Sequence, residues 1–351
     1  MKTVFVGLSG GVDSSVAALR LQAQGYDVVG VFIKVWHPDW LTCNWEQERL
    51  DAMRVAAKLD IPFLTCDAEQ AYKDGVADHF IAEYRAGRTP NPDVLCNQEV
   101  KFGAFLEFAR ARGADLVATG HYARTTEVDG TYRLQRGVDQ NKDQSYFLWT
   151  LTQSQLKRIL FPVGDTPKRS IRHEAEAAGL LTSSKKDSQG ICFLGQVDIR
   201  EFLSHYVELV PGTVLDEAGH VIGTHEGALV YTIGQRHGFT IKTTSSDSSP
   251  QYVIGKDLTA NTITVSPRRP VADPRVELTI HSTNWIPVPP ETGSTIAVQT
   301  RYRQTPFLAE CVACEGSTAT LRPIEETEAV AGGQSAVCYD GERCLGGGII
   351  A

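Results

Sequence analysis

No apolar run in the 351 residues approaches the roughly 18 that a membrane-spanning helix requires, so no membrane association is expected. The opening MKTVFVGLSGG also lacks the core of a secretory signal, because its apolar run breaks at glycine after about half a dozen residues. The cytosol is the expected compartment. Positive charge is in short supply. The net charge is −8, which counts against a nucleic-acid partner held by bulk charge, since phosphate contacts need local Lys and Arg. No internal repeat is visible, which excludes a solenoid. The eight cysteines, Cys43, Cys66, Cys96, Cys192, Cys311, Cys314, Cys338 and Cys344, are spread along a long cytosolic chain. They are expected to be reduced, as core fillers, ligands or reactive thiols rather than a disulfide framework.

What is present suggests two or three domains, given the length. Over the first 125 residues strand and helix patterns alternate: strands at 3–8, 27–33, 62–66 and 115–119, helices at 13–24, around 50–57, 69–86 and 98–112. Repeated units of this kind predict an α/β domain with a parallel sheet covered on both faces. Ligands bind such sheets beyond the carboxyl ends of the strands. Residues 141–205 read as mostly helical and polar. The segment 141–200 carries nine Lys or Arg against six Asp or Glu, either a basic binding face or an ordinary solvated one. From about 211 short alternating runs take over, at 228–233, 251–254, 262–265, 295–301, 311–313 and 336–338, with Gly, Asn and Pro between them. They predict two small β units. The expected division is 1–205, 206–272 and 273–351, with 243–250 as a low-complexity loop.

The string Leu8-Ser9-Gly10-Gly11-Val12-Asp13-Ser14-Ser15 lies between the first strand and the first helix. Glycines let backbone approach phosphate oxygens without a Cβ clash. Ser9, Ser14 and Ser15 offer hydroxyls, and the helix N-terminus offers unpaired N–H groups and the positive end of its dipole. Asp13 would serve as a cap or sit near magnesium. A capped βα turn is the plainer alternative. The Walker lysine is missing, so this is not a Walker P-loop. The string resembles the PP-loop of the ATP pyrophosphatases, and that resemblance implies cleavage of ATP between the α and β phosphates.

Two cysteines stand out. Asn91-Pro92-Asp93-Val94-Leu95-Cys96 puts a carboxylate three residues before a thiol, just ahead of a predicted helix whose N-terminus would favour thiolate. In Lys185-Lys186-Asp187-Ser188-Gln189-Gly190-Ile191-Cys192, two lysines would do the same. Either cysteine could instead be a buried small hydrophobe. Cys311-Val312-Ala313-Cys314 has the spacing of a metal knuckle but no matching second pair. In a regular strand its thiols would face opposite ways.

The motifs GLSGGVDSS, AGRTPNPDVLCN, ATGHYAR, NKDQSYFL, KKDSQGICF, GQRHG, TRYRQ and GQSAVCYDGERCLGGGI together resemble the tRNA-specific 2-thiouridylase (MnmA) family from about Gly7 to Ile350. The stretch WHPDWLTCNW at 36–45 matches no motif. The resemblance implies a PP-loop α/β domain, a small central domain and a C-terminal β-barrel. It implies ATP-dependent 2-thiolation of the wobble uridine in glutamate, lysine and glutamine tRNAs. Gly7, Leu8, Ser9, Gly10, Gly11, Val12, Asp13 and Ser14, with Ile33 and Gly120, would bind ATP with its Mg2+. Asn91, Pro92 and Asp93 would face the target base, with Asp93 as general acid/base. Cys96 would be the nucleophile and Cys192 the persulfide carrier. His121, Lys142, Asp143, Gln144, Arg301, Tyr302 and Gln334 match tRNA-contacting positions. The plainer alternatives are a core histidine, a turn and an ordinary strand pair. A cysteine desulfurase or sulfur-relay protein would supply sulfur to a monomeric enzyme, with no metal held by protein ligands.

Three rivals remain at this stage. An amide ligase of the same superfamily would need an ammonia source, and cysteine is absent from position 2. A non-catalytic RNA-binding protein leaves SGGVDSS without a purpose. An iron–sulfur cluster on Asp93, Cys96 and Cys192 would need a non-thiolate ligand.

Overall fold

The computed structural model describes residues 1–41, 45–186, 198–242, 249–273 and 275–351. Cys192, most of its motif, Cys43 and 243–248 lie outside the described residues. The N-terminal unit is built on strands β1 (Thr3–Gly7), β2 (Asp27–Lys34), β3 (Phe63–Asp67) and β4 (Leu116–Ala118). They are followed by β5 (Ala123–Val128), β6 (Thr131–Arg136) and β7 (Ile159–Leu160). A parallel sheet runs in the order β3-β2-β1-β4-β7. Val4, Phe5 and Val6 of β1 are buried, as a strand covered on both faces demands. Helix α1 (Val12–Ala23) turns Val12, Val16, Ala17 and Leu21 into one face of that core. The strand order reverses between β1 and β4, so a crevice opens beyond their carboxyl ends.

Strands β5 and β6 leave this unit. Their turn, Asp129-Gly130, has positive φ at both residues (50° and 74°), a geometry suited to a tight hairpin. Strand β6 pairs with the last strand of the chain, Leu134 opposite Cys344 and Gln135 opposite Arg343. The C-terminal strands Leu278–Trp285, Thr318–Pro323, Phe307–Glu315, Thr295–Gln299, Ser335–Asp340 and Arg343–Ile350 follow one another in that order, and the first pairs with the last to close a barrel. The central unit is a five-stranded sheet, Phe239–Ile241, Val221–His225, Gly212–Leu215, Thr262–Ser266 and Tyr252–Asp257 in spatial order. Among the described residues no helix is long and apolar enough to cross a membrane.

Three local expectations are corrected. The run 228–233 is not a strand. Its amides bond three residues back, Val230 to the Gly227 carbonyl and Tyr231 to the Ala228 carbonyl, which winds a short 3-10 turn. The segment after 141 is not a polar face throughout. Tyr146, Phe147, Leu148, Trp149 and Leu151 are buried between the parallel-sheet unit and the barrel. The thiols of Cys311 and Cys314 do not face opposite ways; they lie 3.4 Å apart.

Candidate nucleotide and thiol site

Gly10 takes φ +69°, and a Cβ there would stand 2.7 Å from the Glu48 carbonyl oxygen and 3.0 Å from Asp51 Cβ. Only glycine fits this turn. Gly11 caps α1 without a side-chain bond, so the first N–H groups of the helix are not capped by a side chain there. The serines differ in what their hydroxyls do. Ser15 is buried and donates to the Gly11 carbonyl at 2.7 Å. Ser14 accepts the Ser9 amide at 3.2 Å. Ser9 is exposed at the mouth of the loop. Ile33 ends its buried run beside Gly7, with Cδ1 3.6 Å from where a Gly7 Cβ would be. Gly120 closes the other side of the crevice. A Cβ there would lie 2.6 Å from the Ser14 amide nitrogen, so the backbone after β4 runs directly against the phosphate loop.

Two partners of Asp13 were not read from the sequence. The Tyr122 hydroxyl donates to its Oδ1 at 2.7 Å, and the Lys168 ammonium lies 2.6 Å from both carboxylate oxygens. Lys168 opens the helix Lys168–Ala177, which is fixed to α1 by Arg20; that guanidinium reaches Glu174, the Pro162 carbonyl, Asp165 and Thr166.

The segment 119–122 links this loop to the cysteine helix. His121 is buried, with Nδ1 2.8 Å from Thr119 Oγ1 and Nε2 3.4 Å from the Lys101 ammonium. Burial and then the Lys101 charge hold its pKa well below the usual histidine range, so the ring is neutral.

The helix carrying Lys101 starts earlier than its apolar spacing predicts. Asn91 caps it, its Oδ1 accepting the amides of Asp93 at 3.2 Å and Val94 at 3.3 Å, with Pro92 at the first helical position. Cys96 therefore lies past the first turn rather than ahead of the helix, at the start of a π-helical stretch Cys96–Ala104, and is fully buried. Asp93 is half-buried in the first turn.

Two distant parts of the chain grip the residues just before Asn91. The Thr89 amide donates to the Gly332 carbonyl at 2.9 Å, and the Thr89 hydroxyl meets that of Thr232 at 2.9 Å. The Gln334 amide donates to the Thr89 carbonyl at 2.8 Å. Arg301 donates to the Ile233 carbonyl at 2.6 Å, which ties the barrel to the central unit. Tyr302 is half-buried against Phe147, with ring centroids 4.5 Å apart.

The remaining residues of the tRNA-matching set divide. Asp143 is turned inward, accepting from Arg136 at 2.9 Å, the Gly137 amide at 2.9 Å, and the Ser145 amide and hydroxyl at 3.1 and 3.0 Å. Gln144 Oε1 accepts the Tyr122 amide at 3.0 Å, while Lys142 is partly exposed beside it. Lys185, one of the two lysines preceding Cys192, pairs with Asp51 at 2.8 Å behind Gly10. Among the described residues no group of three or more His, Cys, Asp or Glu is placed to hold a metal ion. The cluster alternative depends on Cys192 and so lies outside the described residues.

Residues 2–196 match the tRNA methyl transferase HUP domain family, 200–267 the tRNA methyl transferase PRC-barrel domain and 275–350 the aminomethyltransferase beta-barrel domain. The tRNA-specific 2-thiouridylase MnmA of Enterococcus faecalis is 45% identical over 99% of this chain and 94% of its own length. That of Escherichia coli K12 is 47% identical over 99% of this chain and 96% of its own length. The chain belongs to the MnmA family. Its architecture agrees with the family's three matched domains: a parallel-sheet HUP domain, a PRC-barrel domain and a closed β-barrel. In this MnmA family member the phosphate loop, the neutral His121 and the Cys96 helix form one contiguous structure around the β1/β4 crevice.

Proposed function

We propose that the protein 2-thiolates the wobble uridine (position 34) of glutamate, lysine and glutamine tRNAs, using ATP and sulfur delivered by a desulfurase or relay protein. The observation that carries this reading is the segment 119–122: Gly120 abuts the phosphate loop, Tyr122 holds Asp13, and His121 meets Lys101 on the Cys96 helix. A nucleotide loop and a thiol helix joined this closely suit a reaction in which one activates and the other delivers.

ATP suits the loop because Gly10 and Gly120 let its backbone turn and pack where a Cβ would clash with Glu48 and Ser14, and because Gly11 leaves the first α1 amides without a side-chain cap. Magnesium would accompany the phosphates and screen their charge. The uridine must leave its stack to reach the crevice, at a cost of about a few kcal/mol. Its C2 oxygen attacks the α phosphorus and pyrophosphate departs, leaving an adenylated base. Asp93, in the first turn of the capped helix, serves as general acid/base beside the base. The terminal sulfur of a Cys192 persulfide then becomes the C2 sulfur as AMP leaves. Either the persulfide attacks C2 itself, and the Cys96 thiolate then attacks the Cys192 sulfur of the C2–S–S–Cys192 adduct to free the C2 sulfur, or Cys96 first attacks Cys192 and releases hydrosulfide as the nucleophile. Both routes finish with a Cys96–Cys192 disulfide that a reductant must reopen. Cys96 is fully buried, so its thiol is shielded from bulk solvent. We place the reaction in the cytosol and the enzyme as a monomer.

The test is a reconstituted reaction with unmodified tRNA, ATP and a persulfide-loaded donor, read by mass spectrometry of the nucleosides and by AMP release. Cys96→Ser and Cys192→Ser should each abolish 2-thiouridine while leaving the melting temperature near that of the parent. Full thiolation by either variant removes the cysteine pair from the mechanism.

A further inference from the structure

The Cys311–Cys314 pair takes no part in the reaction above. In a regular strand, residues three apart point to opposite faces. Here Cys311 lies opposite Leu321 and Cys314 opposite Ala319, with a slip in register between Cys311 and Ala313. Three steps along one strand thus match two along its neighbour. This β-bulge returns both thiols to the side that Leu321 and Ala319 share, the barrel interior. Partner positions two apart imply a Cα separation of about 6.6 Å, at the upper end of the range a disulfide spans. The sulfurs already lie 3.4 Å apart. Cys311 is fully buried and its thiol points to the Pro290 carbonyl oxygen at 3.8 Å, whereas Cys314 is partly exposed.

We propose that Cys311 and Cys314 form a reversible dithiol–disulfide site in the barrel wall, oxidised by exchange with the disulfide of a low-molecular-weight thiol. The Cys314 thiolate attacks one sulfur of the small disulfide and displaces the first small thiol. The Cys311 thiolate then attacks the Cys314 sulfur of the mixed disulfide and displaces the second. Two protein thiols are oxidised, one S–S bond forms in the protein, and the small disulfide is reduced to two thiols. The proposal is independent of the thiolation reading, because neither cysteine belongs to that site. Burial pushes the Cys314 thiol up to about 12. Thiolate is the attacking species, so exchange is slow at neutral pH and quickens with alkali. A reduced form that gains little from ionisation also leaves the disulfide favoured at equilibrium. Cys338 is the nearby competitor, and it is fully buried.

The folded full-length protein is equilibrated in glutathione buffers of falling reduced-to-oxidised ratio, quenched with acid, alkylated in denaturant and mapped by mass spectrometry. Positions 311 and 314 should lose alkylation together and yield one bond between them. The rate should rise about tenfold per pH unit between roughly pH 7 and 9, as the thiolate fraction does. Cys311→Ala should stop at a Cys314–glutathione adduct, and Cys314→Ala should leave Cys311 unmodified. Retention of both alkylatable thiols at the most oxidising ratio overturns the proposal. So does a Cys314–Cys338 bond in the parent protein.

Discussion

Asp13 holds its carboxylate between the Lys168 ammonium and the Tyr122 hydroxyl, at the point where α1 meets the phosphate loop. The loop has no lysine of its own, and Lys168 places one there from 155 residues away. On the proposed reading, its ammonium would share its charge between Asp13 and the phosphates of ATP. Lys168→Met keeps the length and apolar stem of the side chain but removes that charge. Loss of a charge-assisted hydrogen bond is worth about 1.5–3 kcal/mol, so tRNA-dependent AMP release should fall roughly 10- to 100-fold. An unchanged rate at saturating and limiting ATP would free Lys168 from this role. At this scale the sequence was legible where a residue type is dictated by its own backbone. Gly10, read as a glycine of the loop, needs its positive φ; the cap at Asn91 and the close packing at Gly120 are visible only in the structure. Lys168 and Tyr122 were not legible, because their partner is set by how distant helices stack, and no spacing along the chain encodes that.

The helix that begins at Pro92 is held from outside itself. Thr89, just ahead of its cap, bonds to Thr232 of the central unit and to Gly332 and Gln334 next to the barrel strands. Thr232→Val removes one hydroxyl and nothing of the shape, so Asn91, Asp93 and Cys96 lose one fixed point. A neutral hydrogen bond contributes about 0.5–1.5 kcal/mol. The expected outcome is a two- to tenfold fall in kcat/KM for tRNA, an unchanged KM for ATP, and faster amide exchange confined to 88–96. Thr232→Ser should restore all three. Equal loss in the Val and Ser variants would mean that the methyl group matters rather than the bond. The same elements show why sequence reading stopped short. The Asp129-Gly130 turn is a strong local hairpin signal, but nothing in it says that the hairpin pairs with the last strand of the chain. The bulge at 312 leaves no mark in an alternating strand, since it is defined by the register of a partner strand. It alone decides that the two thiols meet.

At the scale of the molecule, the parallel-sheet unit and the barrel share a core rather than touch at an edge. Strand β6 extends the barrel sheet, Leu134 is fully buried opposite Cys344, and Arg136 lies 3.5 Å over the ring of Tyr339. Tyr146 donates to the carbonyls of Thr300 and Ser335, and the Trp149 indole to the Ser335 hydroxyl. The order of α/β then β units was readable from the change of periodicity near 211, but this weld was not. It joins residues about 200 positions apart whose local patterns are those of any hairpin and any strand. Because buried aromatic and aliphatic side chains from both units fill one space, neither can lose its packing without exposing the other. Leu134→Ala should therefore destabilise by about 2–5 kcal/mol, the cost of deleting a fully buried leucine. It should lower the melting of the barrel and of the parallel-sheet domain together, seen as one calorimetric transition moved down in temperature. Two resolved transitions, with only one of them displaced, would show that the hairpin decorates the barrel without coupling it to the nucleotide site.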